Sequence, residues 1–295
     1  MTAEANTDPN DIFLSQRPRL FAVAYRMLGA VSDAEDALQE AFLRWQRTET
    51  AAVEDPKGFL TKVVTNLCLD QLRSARHKRE LYPGEWLPEP IVSEDPVGAL
   101  DQDVSVALLL ALERLTPLER AAFLLREVFD VDYEDVANAL DRSQPACRKL
   151  VERARQHVET ERPRSVVGSE EGKAITVAFF QAARTGDTDS LAKLLAQNVR
   201  ATSDGGGKVA SLRRLIEGQD KVVRFFAGVA DLNRGRNTAH WRFCYVNGLP
   251  AIISQDQETG LIQTTAVEIE EGKVSQIYIV RNPEKTTHLK SYFQH

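Results

Sequence analysis

The chain has 295 residues, 43% hydrophobic and 27% charged, an ordinary balance for a globular protein of two or three domains. No apolar run approaches the roughly 20 residues that cross a bilayer. Its three cysteines, Cys68, Cys147 and Cys244, are too widely spaced to indicate a disulfide framework or a CxxC metal site. The composition therefore predicts a reduced, cytoplasmic protein with no metal, no cofactor and no membrane partner.

The net charge of −6 hides a segregation of charges along the chain. Arg73 to Arg79 carries four fixed positive charges and no acid, and Arg142 to Arg155 carries five against Glu152 alone. Acidic residues cluster instead at Asp33–Asp36 and Asp130–Asp135. Because phosphates respond to local charge, this pattern predicts one nucleic-acid partner and one protein partner.

The first segment, about Asp11 to Leu81, has helical spacing throughout. Gly29 suits the end of a first helix, the sequence from Ser32 to Glu35 predicts a capping box that opens the second, and Pro56 suits the first position of the third. The third helix has an apolar stripe and, opposite it, a polar face of Lys62, Asn66, Asp70, Arg73 and His77.

The next segment, Tyr82 to Gly98, is rich in proline and glycine and is predicted to form neither helix nor strand. Trp86 and Leu87 lie in its middle. Since a flexible tether has no need of large apolar side chains, we expect a linker that docks on another part of the protein.

Helical spacing resumes at about Asp101. A capping box with proline at its first helical position is predicted at Thr116–Glu119, followed by a short helix at Tyr133–Leu140 and a tight turn at Asp141–Arg142. Ser143 is the expected N-cap of a basic helix that ends near His157. The inward residues predicted for this helix are Ala146, Leu150, Val151 and Ala154, and the outward ones are Arg148, Lys149, Arg153 and Arg155. This arrangement is typical of a helix-turn-helix.

From about Glu170 the pattern changes to helices followed by strands. A helix at Ile175–Arg184 leads to a glycine-rich turn at Asp204–Lys208, and a second helix covers about Asp220 to Leu232. Three strands are predicted at His240–Val246, Leu261–Ile269 and Val274–Val280, the last two joined by a hairpin at Glu270–Lys273. The order predicts an α+β domain of about 125 residues.

Two stretches in the first half resemble known regions of the sigma-70 family. Arg19 to Leu28, Asp33 to Phe42 and Gly58 to Arg73 resemble sigma region 2, and Leu115 to Arg155 resembles sigma region 4. The chain is thus similar to group 4, or extracytoplasmic-function, RNA polymerase sigma factors. The resemblance implies that it binds core RNA polymerase and directs promoter-specific initiation, reading the −10 element with region 2 and the −35 element with region 4.

The resemblance also implies site residues. For polymerase binding they are Asp33, Asp36, Leu38, Gln39, Glu40 and Phe42. For promoter DNA they are Asn66, Asp70, Arg73, Arg76, Arg79, Arg142, Ser143, Arg148, Lys149 and Arg153, and the loop from about Thr48 to Asp55 would hold a flipped −10 base. Gln144, Pro145 and Cys147 depart from the usual region 4 pattern, which leaves the −35 sequence undefined.

Three further motifs resemble those of a subgroup with a fused SnoaL-like domain, which has the fold of ketosteroid isomerases and polyketide cyclases. They are Trp86–Pro90 (WLPEP), Asp204–Lys208 (DGGGK) and Asn282–Lys285 (NPEK). The implied fold is two all-α sigma domains followed by a cone-shaped α+β domain, with boundaries at 1–82, 83–104, 105–162 and 170–295. The implied regulatory residues are Trp86, Leu87, Pro88, Asp204, Gly205, Gly206, Gly207, Lys208, Asn282 and Pro283.

Two alternative functions remain open from the residues alone. Isomerase or cyclase chemistry would need a general acid or base, and Asp204, His240 and Asp256 are the candidates; we predict that the chain is not an enzyme, because they form no paired constellation. A helix-turn-helix repressor with a ligand domain is the other alternative, although its acidic second helix would then have no purpose. On either reading, the C-terminal domain could take an unknown small-molecule or protein effector.

Overall fold

The computed structural model describes residues 8–80, 82–95, 105–158, 169–234 and 240–293, without the side chains of residues 51 and 74–80. These residues form two compact units. The first comprises residues 1–80 and 107–162, and the second residues 81–106 and 163–295. The linker therefore belongs to the same unit as the C-terminal domain. No helix within the described ranges is long and apolar enough to cross a membrane.

Three helices make up the N-terminal part of the first unit: α1 (Pro9–Leu28), α2 (Val31–Arg47) and α3 (Pro56–Glu80). Gly29 ends α1 in the left-handed conformation with φ 72°, as predicted. The capping box predicted at Ser32 is wrong, because α2 begins at Val31 after an extended Ala30 and no side chain among the described residues caps it. The Glu35 carboxylate binds Arg17 at 2.6 Å instead of closing the box.

Four helices form the remainder of this unit: α4 (Val106–Glu113), α5 (Pro117–Phe123), α6 (Tyr133–Leu140) and α7 (Gln144–Val158). The capping box at Thr116 is confirmed, since its side chain accepts from the Glu119 amide and Glu119 binds the Thr116 amide in return. One π-helical segment, Leu124–Val128, continues α5. Asp141 makes the turn before α7 with φ 52°.

The buried stripe of α7 differs from the predicted one. Cys147, Val151, Ala154 and Val158 are buried, whereas Ala146 and Leu150 are only half-buried. The spacing of the buried residues is regular for a helix, so the core-facing stripe is rotated toward Cys147. Burial raises the pKa of the Cys147 thiol, against a smaller lowering by Arg142, which fits a packing role for this residue.

Within the first unit, α1 and α3 pack against α5 and α6. Arg120, only 2% exposed, ties the two halves together. Its guanidinium donates to the carbonyl of Met27 at 2.7 Å, to the carbonyl of Leu112 at 2.8 Å and to the Glu113 carboxylate at 2.8 Å. The N-terminal three helices and the helix-turn-helix are therefore held as one packed body.

The second unit is a seven-stranded sheet with helices packed against it. Its helices are α8 (Ser169–Thr185), α9 (Thr188–Leu194), α10 (Gln219–Leu232) and α11 (Pro283–Thr286), the last continued by a 3₁₀ segment at Thr287–Phe293. Its strands are β1 (Val92–Ser93), β2 (Leu195–Asp204), β3 (Ile216–Glu217), β4 (His240–Val246), β5 (Leu249–Gln255), β6 (Ile262–Glu270) and β7 (Lys273–Val280).

The strand order is β1-β4-β5-β6-β7-β2-β3. The pair β2–β7 is parallel and every other pair is antiparallel. An apolar core between helices and sheet centres on Phe179, Leu191, Val222 and Phe226, facing Val267 and Ile277. The predicted α+β class is confirmed, and so are α8, α10, β4, β6, β7 and the hairpin between β6 and β7.

The sequence interpretation missed α9, β2, β3 and β5, and the linker forms strand β1 where neither helix nor strand was predicted. Strand β1 exists because of its partner: Val92 pairs with Val246 and Ser93 with Tyr245. A two-residue strand leaves no periodic signal of its own.

Candidate functional site

The carboxylate of Asp204, at the end of β2, is fully buried and binds the linker. One oxygen accepts from the Tyr82 hydroxyl at 2.6 Å and from the Gly206 amide at 2.9 Å. The other accepts from the Leu87 amide at 2.9 Å and from the Lys285 ammonium at 2.7 Å. Four donors thus satisfy a charge that would be costly to bury alone.

Lys285 and Asn282, from the turn that begins α11, complete this arrangement. The Lys285 ammonium donates to the Leu87 carbonyl at 2.6 Å and lies 4.2 Å from the ring centroid of Trp86, a cation–π contact. The side-chain amide of Asn282 donates to the Tyr82 hydroxyl at 2.9 Å. Burial, and then the hydrogen bond to Asp204, raise the pKa of Tyr82, so its hydroxyl stays a donor.

The glycines after Asp204 allow other segments to approach closely. A Cβ on Gly207, whose φ is +70°, would lie 2.5 Å from Cγ of Pro83 in the linker. A Cβ on Gly206, with φ +61°, would lie 2.4 Å from Cγ of Asn282. Glycine is therefore required here for its conformation and for space.

The rest of the linker is held farther along the sheet. Asn247 exchanges hydrogen bonds with Ile91, its amide donating to the Ile91 carbonyl at 2.9 Å and its side-chain oxygen accepting from the Ile91 amide at 3.3 Å. The Tyr292 hydroxyl donates to the Val92 carbonyl at 3.0 Å. We call the contacts that hold residues 82–93 on the C-terminal domain the linker clasp.

His288 adds an ionisable pair to the linker clasp. Its Nδ1 lies 3.0 Å from the buried carboxylate of Glu89, and its Nε2 lies 2.9 Å from the Pro90 carbonyl. Burial lowers the pKa of His288, but the hydrogen bonds to Glu89 and Pro90 and the Glu89 charge outweigh it, so the pKa lies above its usual value. The protonated imidazole is favoured in the clasped state.

The structure brings most of the predicted regulatory residues together. Leu87 and Pro88 are buried and Trp86 is half-buried, while Asp204, Gly206, Gly207 and Asn282 form the contacts above. Gly205 packs against Val209 and Ser211 within its own turn. Lys208 forms an ion pair with Glu284, and Pro283 occupies the first turn of α11. Tyr82, Asn247, His288 and Tyr292 were missed by sequence reasoning, since nothing local marks them.

The predicted polymerase-binding residues lie along α2. Asp33, Asp36 and Gln39 are exposed, and Glu40 binds Arg44 one turn further on at 2.9 Å. Phe42 is half-buried, and its ring centroid lies 5.0 Å from that of Phe13. Leu38 is only 2% exposed and belongs to the core, so it supports this face from beneath and offers no surface itself.

Three of the predicted DNA-reading residues of α3, Asn66, Asp70 and Arg73, are three to four positions apart and share one face of the helix. Asn66 is half-buried, and Asp70 and Arg73 are exposed and paired at 3.0 Å. The side chains of Arg76 and Arg79 fall outside the described residues. The loop predicted to hold a flipped base contains a single 3₁₀ turn at Thr50–Ala52.

The basic residues of the helix-turn-helix are accessible. Arg142, Ser143, Arg148, Lys149 and Arg153 are all exposed. The Arg148 guanidinium lies 5.2 Å from the ring centroid of Tyr133, which orients it beside α6. Arg155 forms a two-point ion pair with Glu127 at 3.0 and 2.8 Å and is thereby engaged within the unit.

The three candidates for acid–base chemistry have other roles or positions. Asp204 is occupied by the linker clasp. Asp256 accepts from the amides of Glu258 and Thr259 in the turn between β5 and β6. His240 is exposed at the start of β4. Among the described residues, no group of three or more His, Cys, Asp or Glu could hold a metal ion.

Comparison with known proteins identifies the family. The Sigma-70 region 2 family matches residues 12–78 and the Sigma-70 region 4 family matches residues 105–158. The ECF RNA polymerase sigma factor SigJ of Mycobacterium tuberculosis is 38% identical over 291 residues, which cover 93% of this chain and 92% of SigJ. The chain belongs to the ECF RNA polymerase sigma factors. As a member of that family, it directs promoter-specific transcription initiation by core RNA polymerase.

The likeness to SigJ includes the C-terminal domain. The crystal structure of M. tuberculosis SigJ matches this ECF sigma factor with a TM-score of 0.74 at 34% identity, covering 93% of this chain and 97% of that one. By contrast, the ferric citrate uptake sigma factor FecI of Escherichia coli is 28% identical over 45% of this chain and 78% of its own. The predicted order of two helical sigma regions followed by an α+β domain is confirmed.

Proposed function

We propose that this ECF sigma factor reads its promoter through exposed faces of α3 and α7 and that the linker clasp controls when it can do so. The exposed residues of α7 would contact the −35 element in the major groove, and those of α3 the opening −10 element. The acidic face of α2 would dock on core polymerase. Asp33, Asp36 and Gln39 carry that role, and Leu38 supports them from the core.

The spacing of the two promoter elements requires regions 2 and 4 to move apart. The −10 and −35 elements are centred about 25 base pairs apart, or roughly 85 Å at 3.4 Å per pair. A compact body of the 136 residues in the first unit has a radius of gyration of about 14 Å. Regions 2 and 4 therefore cannot reach both elements while they stay packed together, so they must separate on the promoter.

The linker clasp restrains that separation. The chain between α3 and α4 is the sole covalent connection from region 2 to region 4, and residues 82–93 of it are held on the C-terminal domain. A free segment of the same length could extend by about 3.3 Å per residue. The single observation that carries the proposal is the hydrogen bond from the Leu87 amide to the buried Asp204 carboxylate, because it anchors the middle of the linker.

The test is run-off transcription with core polymerase and a template that contains the cognate promoter. Asp204→Asn and Lys285→Met should each raise the amount of start-specific transcript several-fold, since they release the linker. Lys290→Met, an exposed lysine five residues from Lys285, serves as the matched control and should match the wild type. Unchanged transcription in both clasp variants would contradict control by the clasp.

We further propose that the C-terminal domain binds an effector without converting it, because the buried acid that could act as a catalyst, Asp204, is fully hydrogen-bonded to the linker and to Lys285. The protein would act in the cytoplasm, where core polymerase and promoter DNA are found. Incubation with candidate effectors followed by mass spectrometry should recover them unchanged, and any turnover would contradict the binding-only role.

A further inference from the structure

A cavity of about 930 Å³ lies in the C-terminal domain, and Pro283 and Thr286 of α11 are among its lining residues. Its apolar wall includes Phe179, Phe180 and Phe226. The volume falls within the usual range for sites that enclose a small organic molecule.

One charged side chain in the lining is not fully satisfied. Arg281, the first residue after β7, lines the cavity, and its Nε is buried without a hydrogen-bond partner among the described residues. Burial lowers the pKa of Arg281, and the charge of Asp256 opposes that lowering. A planar guanidinium with an open donor matches the geometry of a carboxylate, which it can bind through two parallel hydrogen bonds.

The other charges of the lining favour the same sign of ligand. Besides Arg281, the lining holds Arg184, Arg234 and Lys290, against two acids, Asp231 and Asp256. The Asp231 carboxylate is paired with Arg234 at 2.5 Å. Positive charge therefore exceeds negative charge around an apolar space, which suits an anion with an apolar body.

The same chain segment joins this cavity to the linker clasp. The backbone amide of Arg281 donates to the Asp204 carbonyl at 2.9 Å, and the amide of Asn282 donates to it at 3.0 Å. Pro283 and Thr286, which also line the cavity, flank Lys285 in the sequence of α11. A ligand that moves Arg281 would therefore also move Asp204, because the Asp204 carbonyl binds the Arg281 amide while the Asp204 carboxylate binds Leu87.

We propose that the cavity binds an apolar organic carboxylate, with its carboxylate on Arg281 and its body against the phenylalanine wall. When a ligand occupies the cavity, the strength with which the C-terminal domain binds the linker changes; this part rests on the proposed function of the linker clasp. By linkage, a ligand shifts the clasp only as far as it binds the clasped and released states unequally.

The test is isothermal titration calorimetry of the full chain with octanoate and 4-phenylbutanoate, each compared with the alcohol of the same carbon skeleton. At least one acid should bind about tenfold more tightly than its alcohol, as expected for a charge-assisted pair. Arg281→Met should remove that preference, and Arg224→Met, on an exposed residue of α10 outside the lining, should keep it. Circular dichroism establishes that the variants are folded.

Arg281→Lys provides a second variant that keeps the charge but loses the two-point geometry; it should weaken binding of the acid several-fold and leave the alcohol unaffected. Equal affinity for acid and alcohol, no binding of either acid, or an acid preference that survives in Arg281→Met would each overturn the proposal. Titration of Asp204→Asn separates the two proposals: acid binding that persists there supports the cavity site even if transcription shows no role for the clasp.

Discussion

The amide of Leu87 donates to the carboxylate of Asp204 across 117 residues of sequence, at 2.9 Å and out of contact with solvent. Asp204→Asn keeps the shape of this side chain but replaces one accepting oxygen with a donor. In one orientation that donor faces the Leu87 amide and the Lys285 ammonium, and in the other it faces the Tyr82 hydroxyl and the Gly206 amide. We expect the linker clasp to lose about 1.5–3 kcal/mol, the usual contribution of a hydrogen bond to a charged group.

Hydrogen exchange of the amides in residues 82–93 measures this loss, because each 1.4 kcal/mol corresponds to a tenfold change in protection. Asp231→Asn, an exposed residue whose partner is Arg234, is the matched control and should leave linker exchange within about twofold of the wild type. Equal exchange in the two variants would show that Asp204 does not hold the linker.

Gly207→Ala should loosen the linker more than its backbone strain explains. Gly207 and Gly260 have nearly identical φ values, +70° and +69°, but a Cβ on Gly207 would meet Pro83 at 2.5 Å, whereas one on Gly260 has no described atom within 4 Å. Both substitutions introduce left-handed strain of about 1–2 kcal/mol. Overpacking against Pro83 should add about 1–3 kcal/mol at Gly207 alone.

Chemical denaturation of the C-terminal transition compares the two alanine variants directly. Combining Gly207→Ala with Pro83→Ala, which removes the clashing Cγ, should recover most of the difference. If Gly207→Ala and Gly260→Ala destabilise the protein equally, the close approach of the linker plays no energetic role.

The pair between His288 and Glu89 should make the linker clasp weaker as pH rises. Because the pKa of His288 is raised in the clasped state, its contribution is fully present below the ordinary value of about 6.5 and is lost as pH rises through the raised value. The His288 side chain is one-third exposed, so solvent screening limits the contribution to about 1 kcal/mol or less.

Linker protection, corrected for the intrinsic pH dependence of exchange, should therefore fall in the wild type as pH rises above about 6.5. His288→Gln should flatten that profile over the same range. A wild-type profile that is flat, or that rises with pH, contradicts the assigned role of the pair.

Arg120→Met should destabilise the first unit strongly. The substitution leaves the Glu113 carboxylate and the carbonyls of Met27 and Leu112 without their buried donor, a change that typically costs about 3–5 kcal/mol. Arg155→Met removes an exposed ion pair to Glu127 and should cost less than about 1 kcal/mol. Urea denaturation followed by far-UV circular dichroism distinguishes the two, and similar midpoints would contradict a tie through Arg120.

Local signals in the sequence were read correctly at two elements that depend on neighbours in the chain. The capping box at Thr116 and the helix Tyr133–Leu140 need only residues a turn apart, and both are found as predicted. The box at Ser32 failed because Glu35 has a better partner in Arg17, on another helix. Strand β5 was missed because Pro250 near its start argues against a strand, and its pairing with Tyr245 outweighs that preference.

The linker clasp lay only partly within reach of sequence reasoning. The WLPEP, DGGGK and NPEK motifs drew attention to Trp86, Asp204 and Asn282 through family resemblance. Tyr82 and His288 have no motif of their own, and each contacts a residue more than 100 positions away. Likewise, the sequence offered two acids and a histidine as chemical groups of the C-terminal domain, whereas the described side chain with an unsatisfied buried atom there is Arg281, which only burial reveals.

Strand β1 has a consequence for any state in which the linker leaves the C-terminal domain. Its two residues cover part of the outer edge of β4, where Val246 and Tyr245 are buried. An uncovered edge of this kind is a template for pairing with another chain. The released protein would therefore expose an unpaired edge strand. How long it stays active would depend on how soon the linker, or another extended peptide, pairs with β4 again.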